Sequence, residues 1–476
     1  MAGITNNATL LHRELLTRMV GFLKNRELEP NVDRIPLEMR PKGYKDVSRC
    51  CVYKDRAMLR YKIMALLGFN IEEEEDELTP LSEYVRRAFK RGTLSSKPLT
   101  VVDMACRACV KTNYVVTNMC QGCVGRPCMF SCNKDAIEIR EGRAYINHDK
   151  CVNCGMCQKN CPFHAIVYVP VPCEESCPVG AISKDEQGVE HINYDKCIYC
   201  GKCVSACPFG AVMEKSHLID LIRAFREEKQ VVAMVAPAIA GQFKAPFEKI
   251  LGAIRAVGFS DVIEVAKGAD ITTANETAEF IEKMAEGQPF MTTSCCPSFT
   301  ASVYKHIPEL AKYVSHTKTP MAYTAEIARK LYPDAVLVFI GPCLAKRHEA
   351  FIDANTDYML SFEELAALME AYEITVEQSD PVEIDSTIDS SSRGYPVSGG
   401  VAGAIVKNLE GKDVSIQPVT INGINKAAIR ELKGYVKNCP GNMVEVMACE
   451  GGCVNGCGVI NNPKVAARLV GDIARK

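Results

Sequence analysis

The 476-residue sequence has no tryptophan, no marked excess of either charge and no long apolar run. The missing tryptophan excludes nothing by itself. The charge balance does: 56 Lys and Arg against 58 Asp and Glu leave a formal net charge of −2, without the basic footprint of a nucleic-acid surface. The longest apolar stretch, around Val231 to Gly241, is too short and too broken by Gly and Pro to cross a bilayer. No charged n-region, apolar h-region and cleavage site open the chain, so a cytoplasmic protein is expected. The isolated Gly clusters lack the strand-Gly-helix context of a nicotinamide or flavin unit.

Cysteine, by contrast, is abundant, with 25 residues. Disulfide frameworks belong to small secreted chains, and this chain is large, so the cysteines are read as metal ligands. Hydrophobic content of 47% and charged content of 24% are those of a globular protein, long enough for two to four domains.

Residues 1–100 read as helical, with Leu10, Leu11, Leu15, Leu16, Val20 and Leu23 at helical spacing. The acidic run Glu72 to Glu77 is expected to be a solvated helix end or loop, with a docking surface for a basic partner as the lesser alternative. Adjacent Cys50 and Cys51 are expected to be buried or incidental thiols, since neighbours do not easily bind one cube.

From Cys106 to Cys207 the chain reads as an iron-sulfur wire. Cys151-x2-Cys154-x2-Cys157-x3-Cys161-Pro162 and Cys197-x2-Cys200-x2-Cys203-x3-Cys207-Pro208 are both the bacterial ferredoxin run. A zinc site would not repeat this four-cysteine spacing with a following proline. Two degenerate half-repeats interleave with them, Cys120-x2-Cys123-x4-Cys128-x3-Cys132 and Cys173-x3-Cys177-Pro178. Each of the four ends in a small apolar pair, at Ala136-Ile137, Ala165-Ile166, Ala181-Ile182 and Ala211-Val212. Two tandem ferredoxin-like α+β modules are expected, over 101–170 and 171–215.

In two-cluster ferredoxins the fourth cysteine of each run ligates the other cluster. That rule gives one 4Fe-4S cube on Cys120, Cys123, Cys128 and Cys161, and a second on Cys151, Cys154, Cys157 and Cys132. A third falls on Cys197, Cys200, Cys203 and Cys177. Cys173 and Cys207 are left over; they either complete a fourth cube with Cys106-x2-Cys109 or all four are free thiols.

Beyond Cys207 only seven cysteines remain and strand-helix alternation begins. Val231–Ala236 and Val336–Ile340 are buried-strand candidates, with a helix over Phe247–Val257 and a short strand at Asp261–Val265. The pattern argues for parallel α/β sheets with ligands gathered beyond the strand ends. An α/β domain is expected over 225–476, with one lobe at 231 to about 330 and the other at about 331–458.

Three segments of this domain belong together: Thr293-Ser294-Cys295-Cys296-Pro297, Gly341-Pro342-Cys343-Leu344-Ala345-Lys346-Arg347-His348-Glu349, and Glu445-Val446-Met447-Ala448-Cys449-Glu450-Gly451-Gly452-Cys453-Val454-Asn455-Gly456-Cys457-Gly458. Each sets cysteine beside Gly or Pro, where backbone can approach a bulky inorganic centre. They span more than 150 residues, so the site is closed by tertiary folding. Their order and content resemble the iron-only (FeFe) hydrogenases, whose signatures read TSCCP, then PC-x2-K-x2-E, then E-x-MAC-x2-GC-x2-G.

The resemblance implies a two-lobed α/β catalytic domain and an active site, the H-cluster, that joins a 4Fe-4S cube to a di-iron unit with CO, cyanide and a dithiolate. It implies Cys296, Cys343, Cys449 and Cys453 as cube ligands, with Cys453 bridging to the di-iron unit. Cys295 becomes the proton-exchanging thiol, Lys346 a donor to cyanide supported by Glu349, and Met447 a packing neighbour. The Ala236-Pro237 backbone lines the site, and Ser398-Gly399-Gly400 is similar to a family Gly-Gly turn, although a plain loop reads equally well. The implied proton relay runs through Glu276, Thr319, Glu279 and Lys283, where the family commonly has serine for the hydroxyl and arginine for the cation. Read from the residues alone, Glu276, Glu279 and Lys283 are an exposed helix face at i, i+3 and i+7.

Two positions depart from the family: Gly341 replaces a usual methionine, and Cys457 a common glycine. His164, His316 and His348 are expected to be ordinary polar or half-buried residues. Reversible reduction of protons to H2 in an anaerobe is implied, with ferredoxin or a similar small carrier as partner and maturation proteins to build the di-iron unit. A non-catalytic iron-sulfur scaffold would need the four ligands but neither Cys295, Lys346 nor Glu349. A hydrogen sensor would carry an added signalling module, and the tail from Val459 to Lys476 holds none.

Overall fold

A computed structural model describes residues 6–74, 76–92, 94, 97–106, 109 and 113–475; Glu75 of the acidic run lies outside them. Three longer helices, Asn7–Lys24, Val52–Leu66 and Leu81–Lys90, build the N-terminal region as expected. Asn6 caps the first, its side chain accepting from Thr9 N at 2.9 Å. Its stripe of Leu15, Leu16, Met19, Val20 and Leu23 is buried. The helix packs on Phe362–Ala371 of the C-terminal domain, where Arg13 Nε meets Glu363 Oε1 at 3.1 Å and Thr17 Oγ1 donates to Glu370 at 3.0 Å. The helical region thus shares one core with the rest of the chain.

The iron-sulfur segment contributes eight short strands: β1 (Leu99–Val101), β2 (Tyr114–Val116), β3 (Ile137–Arg140), β4 (Arg143–Ile146), β5 (Ile166–Tyr168), β6 (Ile182–Lys184), β7 (Glu190–Ile192) and β8 (Val212–Glu214). They pair antiparallel as β2 with β5, β3 with β4, β6 with β7, and β1 with β8. The last pairing corrects the tandem arrangement. The strand that closes the second module on β8 is β1, which precedes the first module in the chain. The first module, from Asn113 to Val169, is therefore inserted into the second, and Val169 N donates to Asn113 O at 2.6 Å across its mouth. Boundaries of 101–170 and 171–215 do not describe the second module, which is assembled from two separated pieces.

The C-terminal domain adds β9 (Val231–Val235), β10 (Asp261–Glu264), β11 (Met291–Thr292), β12 (Val336–Ile340), β13 (Tyr358–Leu360), β14 (Pro418–Asn422) and β15 (Met443–Met447). One parallel sheet runs β10-β9-β12-β13 and another runs β11-β15-β14. The expected contiguous lobes are corrected here as well, because each sheet draws strands from both sides of residue 330. Parallel strands need long crossovers, so neighbours in sequence need not pair. Strands β9, β12 and β15 are buried along nearly their whole length, as suits sheets covered on both faces. Among the described residues no helix is long and apolar enough to cross a membrane.

Candidate metal centre

The carboxyl ends of four strands converge. Strand β11 leads to Cys295 and Cys296, β12 to Cys343, β15 to Cys449 and Cys453, and β9 to Ala236-Pro237. This is the edge at which parallel α/β sheets collect ligands. Cys296 and Cys343 are N-caps of the helices Pro297–His306 and Leu344–Ile352, whose amide dipoles favour thiolate there. Gly452 has φ +98° and a Cβ on it would collide with Pro396 O, so only glycine passes. The Ser398-Gly399-Gly400 turn is held by the buried Glu445 carboxylate, which accepts from Gly399 N at 2.7 Å and Ala402 N at 2.8 Å.

The four thiols raise one another's pKa. Burial pushes Cys343 up to about 11, with the Cys296 charge adding to it. Cys449 is pushed well up by burial, then by Cys343, Cys453 and Cys296. A buried cluster of mutually repelling thiolates is stabilised only by metal, and four cysteine thiolates are the donor set of a 4Fe-4S cube, so these residues fit one. Among the described residues no three His, Cys, Asp or Glu side chains close on a single ion. Met447 is 3% exposed and packs in the apolar cluster that also borders Cys295.

Cys295 itself is pushed well above its ordinary value by burial and then by the Glu276 charge. Glu276 Oε1 accepts from Ser294 N at 2.8 Å and Ser294 Oγ at 3.1 Å, while its buried Oε2 has no partner. Burial raises the Glu276 carboxyl to about 7. Ser315 stands close enough to lower it and donates its hydroxyl to Glu279 Oε2 at 2.7 Å. Glu279 also meets His316, through the backbone N at 3.0 Å and Nδ1 at 2.7 Å. The His316 side chain is 76% exposed.

Three expected assignments are corrected by this chain of contacts. Ser315, not Thr319, is the hydroxyl between the two glutamates. Thr319 Oγ1 instead donates to Glu349 Oε1 at 2.5 Å. Lys283 pairs with Glu286 at 3.4 Å, and the basic group on Glu279 is His316, expected to be an ordinary polar residue. The glutamates are not a plain exposed face either, since Glu276 is fully buried.

Lys346 and Glu349, one helical turn apart, form the expected pair, with Nζ to Oε2 at 2.7 Å. At Gly341 the space of the usual methionine is taken by Phe339, whose Cε1 would lie 2.5 Å from a Cβ. Cys457 Sγ hydrogen-bonds Glu214 Oε1 at 3.1 Å and sits where a Cβ on Gly201 would touch it at 2.6 Å. His348 stacks on Tyr199, with ring centroids 3.8 Å apart, and so docks the catalytic helix onto the loop before Cys200.

The accessory cysteines share one local geometry. In all four half-repeats the amide of the alanine four residues on donates to the last cysteine's sulfur: Ala136 to Cys132 and Ala165 to Cys161 at 3.4 Å, Ala181 to Cys177 at 3.2 Å, Ala211 to Cys207 at 3.3 Å. Cys128 feels Cys161 and Cys123, Cys157 feels Cys151 and Cys154, and Cys203 feels Cys200, Cys197 and Cys177, in agreement with the exchange of fourth ligands. Cys200 also feeds into the charges acting on Cys449, so the third ligand set abuts the catalytic one. Cys50 is exposed and Cys51 half-buried, their sulfurs 3.7 Å apart. Ser315 and His316 were missed by sequence reasoning; their signal was proximity to Ser294 in the folded chain, which spacing does not carry.

Comparison with known proteins agrees with this arrangement. Residues 229–457 match the family described as iron only hydrogenase large subunit, C-terminal domain, and residues 144–167 and 190–213 match the 4Fe-4S binding domain. The chain is 26% identical over 309 residues to iron hydrogenase 1 of Clostridium pasteurianum, covering 53% of this chain and 54% of that protein. It is 27% identical to the periplasmic Fe hydrogenase large subunit of Nitratidesulfovibrio vulgaris, over 48% of this chain and 68% of that one. It is also 23% identical to cytosolic iron-sulfur assembly component 3 of Rattus norvegicus, over 51% of this chain and 64% of that one. The match to the first of these spans about half of its length. The chain thus carries an iron-only-hydrogenase domain behind 4Fe-4S-binding, ferredoxin-like repeats.

Proposed function

We propose that this FeFe-hydrogenase-like protein is a ferredoxin hydrogenase, interconverting two protons and two electrons with H2. The observation that carries the reading is the continuous route Cys295, Glu276, Ser315, Glu279, His316 from a buried thiol to solvent. A carboxyl with a pKa of about 7 holds or releases a proton near neutral pH, which suits a relay. A scaffold that only stores iron and sulfur has no use for it.

Cys296, Cys343, Cys449 and Cys453 would hold the cube, Cys453 on the side of the di-iron unit. When bound, that unit supplies the low-coordinate iron at which protons and electrons combine. Lys346, fixed by Glu349 and Thr319, presents a cation to its anionic ligands. Cys295 carries the proton at the near end of the route. Electrons from a small carrier such as ferredoxin would arrive through the accessory ligand sets, the third of which adjoins Cys449. Fe-S potentials range over roughly −700 to +450 mV with environment, so direction is set by partners and conditions. Maturation proteins, an oxygen-poor setting and the cytoplasm are part of the same reading.

The assembly reading has one observation in its favour, the match to an iron-sulfur assembly component. An infrared spectrum of the anaerobic protein after exposure to maturation machinery or a synthetic di-iron precursor separates the two. Bands of metal-bound CO and cyanide, with H2 evolution from reduced ferredoxin, are expected. Intact cubes without those bands would overturn the hydrogenase in favour of the scaffold.

A further inference from the structure

The two ferredoxin-like modules match in detail except at one place. Each opens with a strand, β2 or β1, and the residue after it hydrogen-bonds the alanine near the module's end: Thr117 N to Ala165 O at 2.8 Å, Val102 N to Ala211 O at 2.7 Å. Each has a short helix beginning Pro-Cys and then reaching Ser and Cys, Pro127–Phe130 and Pro172–Ser176. In each the serine hydroxyl donates to the first cysteine's carbonyl at 3.0 Å, Ser131 to Cys128 and Ser176 to Cys173. Each has the hairpin that follows, β3–β4 or β6–β7.

The equivalents of Cys128, Cys132 and Cys161 are thus Cys173, Cys177 and Cys207. The first module has Cys120-x2-Cys123 just before its helix, and the second has nothing there. Position within the fold supplies the missing pair. Cys120 follows the end of β2 by four residues, and Cys106 follows the end of β1 by five.

We propose that Cys106, Cys109, Cys173 and Cys207 hold a fourth accessory 4Fe-4S cube, its C-x2-C pair supplied from the far side of the inserted module. Three segments meet to make the site. Cys106 Sγ accepts from Glu190 N at 3.2 Å, on the hairpin of the second module, and Cys207 Sγ accepts from Ala211 N at 3.3 Å. Cys106 and Cys173 are 3% and 4% exposed. Cys207 acts on Cys106, Cys109 and Cys173 alike, which puts all four thiols within one another's field. Two lysines frame them: Lys184, bonded to Glu174 and Glu190, beside Cys109, and buried Lys62, bonded to Gly210 O, beside Cys207. Such cations offset the negative charge of a thiolate-ligated cube. Cys173 also acts on Cys203, so this site borders the third ligand set and extends the wire toward the inserted module. Four buried thiols at one place have no other partner chemistry in an iron-sulfur module.

The inference rests on reading the paired ferredoxin runs as cluster ligands, and the test separates the two. The full chain, produced without its di-iron unit, is reconstituted anaerobically with iron and sulfide and its iron counted. Five cubes predict about 20 irons per chain, and four predict about 16. The double variant C106A/C109A should lose about four irons, as should the reference variant C154A, while C51A keeps the wild-type content. Wild-type iron in C106A/C109A alongside loss in C154A, or a wild-type count near 16, overturns the fourth cube alone. Undiminished iron in C154A overturns the cluster reading beneath it. The wild-type count needs no variant to fold.

Discussion

Replacing Glu276 by glutamine is the sharpest probe of the proton route. The change keeps the Oε1 that accepts from Ser294 N and Oγ, so the loop before Cys295 keeps its anchor. What it removes is the titration. Burial moves the carboxyl from 4.5 to about 7, a penalty of about 3 kcal/mol on its ionised form. The folded state therefore binds a proton that the unfolded chain gives up between pH 4.5 and about 7. Sign follows directly: this group's stabilising contribution is full below pH 4.5 and is lost as pH rises through about 7. In infrared difference spectra the wild type should show a protonated-carboxyl band that disappears with a midpoint near pH 7, absent from E276Q. Turnover in E276Q should fall by roughly 10²–10⁴-fold, the range of a lost general acid-base group. CO and cyanide bands should persist. Wild-type turnover in E276Q, or an unaltered carboxyl band, would refute a route through Glu276.

Ser315→Ala should lower turnover by at least about tenfold, whereas Thr319→Ala should spare proton delivery and instead shift the cyanide bands through Glu349 and Lys346; the reverse pattern would restore Thr319 to the relay. Arg347→Met strips the cation from buried Glu364 and from Glu214, at 2.7 and 3.3 Å, and should cost about 3–5 kcal/mol. A melting temperature within about 1 °C of wild type would contradict that. Gly341→Ala drives a Cβ into the Phe339 ring and should cost about 1–3 kcal/mol of overpacking in denaturant unfolding, relieved by Phe339→Leu.

The ligand cysteines were legible because cluster binding imposes spacing within one short stretch, and the strand-helix alternation announced parallel sheets. The relay was less legible for a specific reason. Ser315, Thr317 and Thr319 alternate along one extended loop, so three hydroxyls lie at period two and no local signal selects among them. Contact with Glu279 does select, and it exists only once the loop is laid against the helix Ala266–Ala285. Strand β1 failed for a related reason: its partner β8 lies more than 100 residues away and both are three residues long, beneath any periodicity. The lobes were misdivided because a parallel sheet takes its strands out of chain order.

The nesting of one module in the other has a consequence for how the protein is made. Asn113 and Val169 are hydrogen-bonded neighbours, so the enclosed unit can close on itself as soon as it leaves the ribosome. The surrounding unit cannot; its first strand waits through the synthesis of Ile182–Lys184 and Glu190–Ile192 for Val212–Glu214. An already compact insert shortens the effective loop that must then be closed, and loop-closure entropy grows with that length. Assembly should therefore proceed from the inside outward, and damage to the inner unit should delay the outer one even where no side chain links them.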